Sequence, residues 1–153
     1  NKMSFDSKEF RELIVRPALE ELKMWSRDAE GLLMLTGAQE SHLGTYLRQV
    51  GQEGGYSVAR GVFQMEPETF NWLRSIPSYN GLLYGIADDM VHDLKLAAKA
   101  ARLKYRVVPK GLPKHDDVVG LASYWKIWYN ASPKGGSVEE AIGNYKRFVS
   151  EKA

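Results

Sequence analysis

The 153-residue chain contains no cysteine. Disulfide frameworks, zinc ribbons and thiol nucleophiles are therefore excluded from it. An excess of one charge is also lacking, since 21 basic residues nearly balance 19 acidic residues and leave a net charge of +2. This balance argues against an electrostatic nucleic-acid binder, which normally carries a marked basic excess.

Long hydrophobic runs are absent as well. The longest covers residues 31–35 and ends at Thr36, whereas a helix needs about 20 apolar residues to span a bilayer. We therefore expect no membrane span. Residues 1–4 also lack the basic-then-apolar pattern of a secretory signal.

A hydrophobic period of about 3.6 residues dominates the chain, and strand-like alternation is nearly missing. No change in composition divides the sequence, so we predict one all-α domain over residues 1–153 with about six helices. The expected helices cover 6–25 with a kink or break at Pro17, 26–43, 67–76, 82–108, 117–130 and a last one opening at Ser137. Residues 45–66 are rich in glycine and are predicted to form a long loop, of a length that is usually either functional or disordered.

One carboxylate lies on an apolar helix stripe. Wound at about 100° per residue, Glu40 falls on the side of Leu32, Leu33, Thr36 and Leu43, close to the end of its helix. Burial and the negative end of the helix dipole both raise the pKa of a carboxyl group, as a general acid at neutral pH requires. Glu40 is thus either a general acid or a core carboxylate held by an ion pair or hydrogen bond.

Three short segments carry a resemblance to a known family. They are 39–41 (Gln-Glu-Ser), 61–67 (Gly-Val-Phe-Gln-Met-Glu-Pro) and 129–133 (Tyr-Asn-Ala-Ser-Pro). In this order they resemble the signatures of the lytic transglycosylases related to goose-type lysozyme, and phage-encoded members most of all. Those signatures are Glu-Ser, then Gly-Leu-Met-Gln followed by proline, then Ala-Tyr-Asn-Ala-Gly-Pro. The sequence departs from them at Phe63, Trp128 and Ser132.

The resemblance implies a lysozyme-like fold with a glycine-rich cleft loop. It also implies cleavage of the β-1,4 bond between N-acetylmuramic acid and N-acetylglucosamine. Glu40 takes the place of the catalytic acid/base, and Tyr129 that of the tyrosine whose hydroxyl orients it. The other positions that the resemblance places along the sugar cleft are Gln64, Phe63, Asn130 and, as the nearest candidate for a serine of the motif, Ser57.

Helical geometry tests one of these assignments independently. Tyr129 shares an apolar stripe with Trp125, whereas Tyr124 points away from it. Tyr129 is therefore predicted to face inward, either toward Glu40 or as an ordinary core tyrosine. We interpret Trp125 as core packing, and Trp128 and Trp72 as candidates for stacking on the apolar faces of sugars.

A second carboxylate would change the mechanism. Hydrolases need one at about 5–5.5 Å or 6.5–9.5 Å from the acid, and Glu66 is the first candidate, with Glu53 a weaker one. Glu66 precedes Pro67, however, and stabilising the next helix N-terminus is an adequate role for it. The resemblance implies a single-carboxylate transglycosylase that gives 1,6-anhydromuramoyl products, and the lack of an obvious second carboxylate agrees with it. The alternatives are a lysozyme-type muramidase and a catalytically silent glycan-binding virion module.

The remaining charged residues are interpreted as structural. Four potential metal ligands are assigned to a solvated helix face: Asp88, Asp89, His92 and Asp93. A basic stripe is likewise assigned to a solvated helix end: Lys95, Lys99, Arg102 and Arg106, with Lys104 nearby. We predict no metal and no cofactor.

The expected partner is the glycan strand of peptidoglycan, cleaved by a monomer in the bacterial periplasm or cell wall. Nucleic acid is not a predicted partner. With no signal segment in the given sequence, the expectation is a phage lysin that is made in the cytoplasm or attached to a virion or tail. The sequence does not distinguish between these two.

Overall fold

The computed structural model describes residues 3–48 and 58–150. Its α-helices are α1 Ser7–Glu9, α2 Arg16–Glu21, α3 Arg27–Ser41, α4 Pro67–Ser75, α5 Leu94–Arg106, α6 Val118–Trp128 and α7 Val138–Phe148. A π-helical segment, Phe10–Val15, joins α1 to α2 in one helical stretch, and 3₁₀ turns occupy Pro77–Tyr79 and Ala87–Val91. In these two ranges strand-like pairing is limited to isolated bridges at Arg48–Arg60 and Arg60–Met65. With 7–21 taken as one helical stretch, residues 3–48 and 58–150 contain six helices, and the predicted all-α class is confirmed.

Helix α3 forms the centre of the core. Its N-terminus is capped by Ser26, whose hydroxyl accepts the Ala29 N–H at 3.0 Å, as helix-capping serines do. Residues 29–38 are all buried, and α3 packs against α5, α6, α7 and the π-helical segment. A helix that is buried on every side leaves the core only at its ends. Side chains of α3 can therefore reach the protein surface or a cleft only near those ends.

The irregularity predicted at Pro17 takes the form of the π-helical segment directly before it. Proline lacks an N–H, and its ring crowds the carbonyl four residues back; the wider π turn accommodates both effects without breaking the helix. The helical stretch ends at Glu21 rather than at the predicted Trp25, and Lys23 follows with a φ of 60°.

The predicted helix over 82–108 is wrong in its first part. Helix α5 begins only after Asp93, whose carboxylate accepts the Leu96 N–H at 2.9 Å. Before it, Asp89 accepts the Ile86 N–H at 2.8 Å. Aspartates that fold back onto nearby backbone N–H groups favour caps and turns over helix interiors, and here this local effect prevails over the apolar spacing.

The charged residues of this region also differ from their predicted roles. The aspartates that cap backbone N–H groups belong to turns, not to a solvated helix face. Lys95 and Lys99 both pair with Glu21, at 2.6 and 2.7 Å, and so join α5 to α2. Hydrogen bonds from these two lysines lower the pKa of Glu21 to about 2.

Neither a membrane-spanning helix nor a metal-ligand cluster occurs in the part of the chain that the structure describes. Within 3–48 and 58–150, no helix has the length and apolar character needed to cross a bilayer. In the same ranges, no cluster of three or more His, Asp or Glu side chains is arranged to hold a metal ion.

A buried carboxylate, Glu30, ties α3 to the first helical stretch. Its Oε2 accepts N–H groups of Arg16 and Trp25, both at 2.8 Å. Its Oε1 accepts from Arg16 at 2.9 Å and from Arg11 at 3.3 Å. Burial acts to raise the pKa of Glu30, but these donors, Arg16 foremost, outweigh burial and hold the pKa below its ordinary value.

Replacing Glu30 by glutamine should therefore destabilise the fold in a pH-dependent way. We expect Glu30→Gln to lower the free energy of unfolding by about 1–3 kcal/mol at neutral pH, as for a lost charged hydrogen bond. Because the pKa of Glu30 is lowered in the folded state, the extra free energy of unfolding of the wild type is complete above the ordinary glutamate pKa of about 4.3. It is lost as the pH falls through the lower folded value.

Urea denaturation between pH 7 and pH 2 measures this effect. Glu12→Gln, on the exposed side of the same helical stretch, is the control and should stay close to wild type throughout. An equal deficit of Glu30→Gln at both ends of the pH range would contradict the assigned role of the charge.

Candidate active site

A cleft of about 590 Å³ lies where the ends of several helices meet. Its volume is within the range of about 300–1,000 Å³ that small-molecule sites occupy. The lining residues are Gln39, Glu40, Tyr46, Ala59, Gln64, Glu66, Thr69, Lys104, Tyr129, Asn130, Ser132, Lys134 and Gly135. Members of all three segments that carry the family resemblance therefore line one cleft.

Glu40 stands in the last turn of α3, with its carboxyl group in the cleft wall. Its Oε2 accepts the indole N–H of Trp125 at 2.8 Å and the amide N–H of Asn130 at 3.1 Å. No hydrogen bond from the described residues reaches Oε1. Burial raises the pKa of Glu40 in spite of these two donors and the positive charges of Lys104 and Lys126. The group can therefore hold a proton on Oε1 above the usual pH range of a glutamate.

The residue after Glu40 explains why α3 stops at this point. The buried hydroxyl of Ser41 donates to the Gly37 carbonyl at 3.2 Å and accepts the Gly44 N–H at 2.9 Å. His42 then turns the chain with a φ of 50°. The Glu-Ser pair thus combines a cleft carboxylate with the buried cap that fixes the helix end.

A second part of the cleft wall is a tight turn formed by residues 60–65. Arg60 and Met65 exchange two backbone hydrogen bonds, each 3.1 Å. Gly61 has a φ of 84°, and a Cβ atom at this position would lie 2.7 Å from the Met90 carbonyl oxygen, so only glycine fits. Gln64 is also left-handed, with a φ of 47°, and its side-chain amide donates to the Gly61 carbonyl at 3.0 Å. This amide is thereby fixed at the cleft surface.

Tyr129 faces inward as predicted, but its hydroxyl has a different partner. It donates to the backbone carbonyl of Phe63 at 2.8 Å, not to Glu40. The predicted direct orientation of Glu40 by this hydroxyl therefore needs correction: Tyr129 ties the 60–65 turn to the end of α6. Desolvation by its surroundings raises the pKa of Tyr129 far above the ordinary range.

Phe63 is not a substrate contact. Its side chain is 1% exposed and packs in the core with Phe10, with ring centres 6.1 Å apart. An aromatic side chain gains more from core burial than from exposure at a polar cleft, and only its backbone carbonyl takes part in the site.

The two residues that hold Glu40 differ from their predicted roles. Trp125, predicted as core packing, is fully buried and also donates its N–H to Glu40. Asn130, predicted as a substrate contact, donates to the same oxygen. A buried indole commonly finds a hydrogen-bond partner, and this rule is the signal that could have identified Trp125.

Lys104, which the sequence places near a solvated basic stripe, is a further site residue and is partly buried. It lines the cleft, and its Nζ donates to the Tyr129 carbonyl at 2.8 Å and lies 4.0 Å from the centre of the Tyr129 ring. Burial lowers the pKa of Lys104, and the negative charges of Glu40 and Glu66 oppose this shift.

The remaining candidates divide into three groups. Glu66 is exposed, lines the cleft and occupies the N-cap position of α4, so both of its predicted roles fit its place. Trp128 and Trp72 are 38% and 49% exposed and are not among the residues that line the cleft, so their sugar contacts stay a prediction. Ser57 and Glu53 lie outside the described residues.

Comparisons of the chain with protein-family models, with curated proteins and with solved structures gave no match. The resemblance carried by the three short segments therefore stays a prediction, and the geometry of the cleft is the basis for assigning a function.

The contact between Tyr129 and Phe63 gives a testable prediction for the site. Tyr129→Phe removes the hydroxyl donor and leaves the buried Phe63 carbonyl unpaired, which should cost about 1–3 kcal/mol of folding free energy. We expect activity to fall without being abolished, because the 60–65 turn loosens while Glu40 keeps both of its donors. Thermal denaturation measures the loss of stability, and lysis of peptidoglycan, the substrate expected from the sequence, is the assay for the loss of activity.

Tyr124→Phe is the matched control, since its hydroxyl also donates to a carbonyl, that of Lys110 at 3.1 Å, but Tyr124 does not line the cleft. It should lose stability alone. Equal losses of activity in the two variants, measured well below their melting temperatures, would contradict a specific role of the Tyr129 hydroxyl in activity.

Proposed function

We propose that the chain is a lytic transglycosylase that cleaves the β-1,4 bond between N-acetylmuramic acid and N-acetylglucosamine in peptidoglycan. The observation that carries the proposal is the state of Glu40. It is a carboxyl group of raised pKa in a cleft wall, with one oxygen held by two N–H donors and the other without a hydrogen bond from the described residues. A group in this state is suited to general acid catalysis near neutral pH.

The proposed mechanism uses Glu40 twice. Its Oε1 proton passes to the glycosidic oxygen as the bond from that oxygen to muramic acid C1 breaks. The muramic acid 6-hydroxyl oxygen then bonds to C1, and its proton returns to Glu40. The products are an N-acetylglucosamine end with a free 4-hydroxyl and a 1,6-anhydromuramoyl end, and no water is consumed. The N-acetyl group of muramic acid is proposed to stabilise the developing cation.

The convergence of the three motif segments supports this proposal. Glu40, Gln64 and Asn130 come from three distant parts of the chain and line the same cleft. Gln64 offers an amide at the cleft surface that suits a sugar hydroxyl or acetamido group. A lysozyme-like fold, with action on the cell wall as a free or virion-attached phage lysin, is part of the same proposal.

A second candidate is a muramidase, which uses water in place of the 6-hydroxyl. Its support is Glu66, an exposed carboxylate that lines the cleft with Glu40. In this alternative Glu66 activates the water or stabilises the cation. The product distinguishes the two reactions, because water gives a reducing muramic acid end.

Glu40→Gln should abolish lysis and leave the fold intact. Glutamine keeps the shape of the side chain but cannot transfer the proton. General acid–base catalysis typically contributes roughly 10²–10⁴-fold, so the rate should fall by at least this factor. Because burial raises the folded pKa of Glu40, its charged form destabilises the native state above the ordinary glutamate value. The neutral variant should therefore melt at the same or a higher temperature than wild type at pH 7.

Turbidity assays on purified sacculi and thermal denaturation test both statements. Glu139→Gln, an exposed carboxylate on α7, is the control and should behave as wild type. A Glu40→Gln enzyme with near-normal activity would exclude Glu40 as the acid.

The products should carry 1,6-anhydro rings. Mass spectrometry of the released muropeptides should show muramic acid ends lighter by one water than lysozyme products and resistant to borohydride reduction. Glu66→Gln should reduce the rate less than Glu40→Gln, since it alters the cleft wall but no proton transfer. Reducible ends together with an inactive Glu66→Gln would establish the muramidase instead.

A further inference from the structure

Lys104, in the last turn of α5, is a lysine that lines the cleft from a helix. It belongs to α5, and its flanking residues Leu103 and Tyr105 are fully buried, so the start of its side chain is fixed by the core. Its ammonium group donates to the Tyr129 carbonyl and lies over the ring of the same residue. A lysine has three N–H donors, and no salt bridge to Lys104 forms among the described residues.

The peptide that Lys104 holds is the one that carries Asn130. The Tyr129 carbonyl and the Asn130 N–H belong to the same peptide bond, and that N–H donates to the Trp125 carbonyl at 3.1 Å. The Asn130 side chain then donates to Glu40 Oε2. Lys104 is therefore connected to Glu40 through a single rigid peptide and one side chain.

We propose that Lys104 is a positioning residue for Glu40: its ammonium group fixes the turn that carries Asn130 and supplies positive charge to the carboxyl group in the cleft. This inference rests on the proposed function for its catalytic meaning, because a residue that first gives and then takes a proton must be easily ionised as well as protonated. A buried carboxyl with neutral donors alone would stay protonated and be a poor base for the second step.

Other charged and titratable groups surround Glu40 and act in the same balance. Lys126 of α6 lowers the pKa of Glu40 less than Lys104 does, and its Nζ is held by the Ser132 and Gly136 carbonyls. Glu66 and Lys134 line the cleft, and Tyr105 and Tyr129 interact with the Glu40 charge but stay neutral because their own pKa values are raised. Lys104 is thus the leading positive charge in the balance.

The test measures the titration of Glu40 directly and does not depend on activity. The side-chain carboxyl carbons of glutamate are followed by ¹³C NMR against pH, and the Glu40 signal is assigned by its loss in Glu40→Gln. In Lys104→Met we expect the Glu40 midpoint to rise by about one pH unit, as removal of a neighbouring cation predicts. Lys104→Arg keeps the positive charge, so its Glu40 midpoint should lie close to that of wild type. Lys104→Gln, which can still donate to the Tyr129 carbonyl, should show the same rise if Lys104→Met does not fold.

Lys95→Met is the matched control, since it also removes one positive charge from α5, but at a lysine that pairs with Glu21 away from the cleft. Its Glu40 midpoint should equal that of wild type. In Lys104→Met, the alkaline limb of the plot of kcat against pH should shift to higher pH together with the Glu40 midpoint, because the protonated acid persists to higher pH.

The two proposals can fail separately. A Glu40 midpoint in both Lys104→Met and Lys104→Gln equal to that in Lys95→Met overturns the role of Lys104, whatever products the enzyme forms. A wild-type protein that releases no anhydromuropeptides overturns the proposed function, whatever the titration shows.

Discussion

The burial of α3 is the constraint on which the rest of the site depends. Because residues 29–38 are enclosed on every side, this helix can present a polar group only near its ends. Its C-terminal turn does so with Glu40, and Ser41 and the left-handed His42 then reverse the chain. The end of α6 meets this turn and supplies the two N–H donors for the carboxyl group.

Two glutamates of α3 show that burial alone does not set the pKa of a carboxyl group. Glu30 is only 4% exposed, yet its pKa is lowered, because four N–H contacts reach it and three of them come from the charged guanidinium groups of Arg11 and Arg16. Glu40 has two neutral donors, and its pKa is raised. Charged donors compensate the cost of desolvation more fully than neutral ones. The first arrangement therefore suits a structural ion and the second a group that exchanges protons.

The sequence predicted those helix ends that local side chains determine. Asp6, Ser26 and Ser137 each accept the N–H three residues on, and this spacing is readable without a structure. The segment before α5 was mispredicted because its apolar spacing fits a helix, while Asp89 and Asp93 bind nearby backbone N–H groups instead.

For the site, the order of the motifs points to Glu40, Gln64, Tyr129 and Asn130, and these four residues line one cleft. The sequence did not show that Trp125 and Lys104 belong with them. Helical periodicity shows which side of a helix a residue faces, but not which residue the end of its side chain contacts. The contact of Trp125 with Glu40 joins positions 85 residues apart, and that distance leaves no local pattern to read.

The cleft is assembled from the ends of helices, and this links its geometry to the stability of the fold. Helix ends leave backbone groups without partners inside the helix. Here Lys104 donates to the carbonyl of Tyr129, the C-cap residue of α6, and the Tyr129 hydroxyl donates to the turn before α4. The contacts that satisfy the backbone are therefore the contacts that hold Asn130, and through it Glu40. Folding thus fixes the position of the carboxyl group, and such preorganisation is what the catalysis proposed for Glu40 requires.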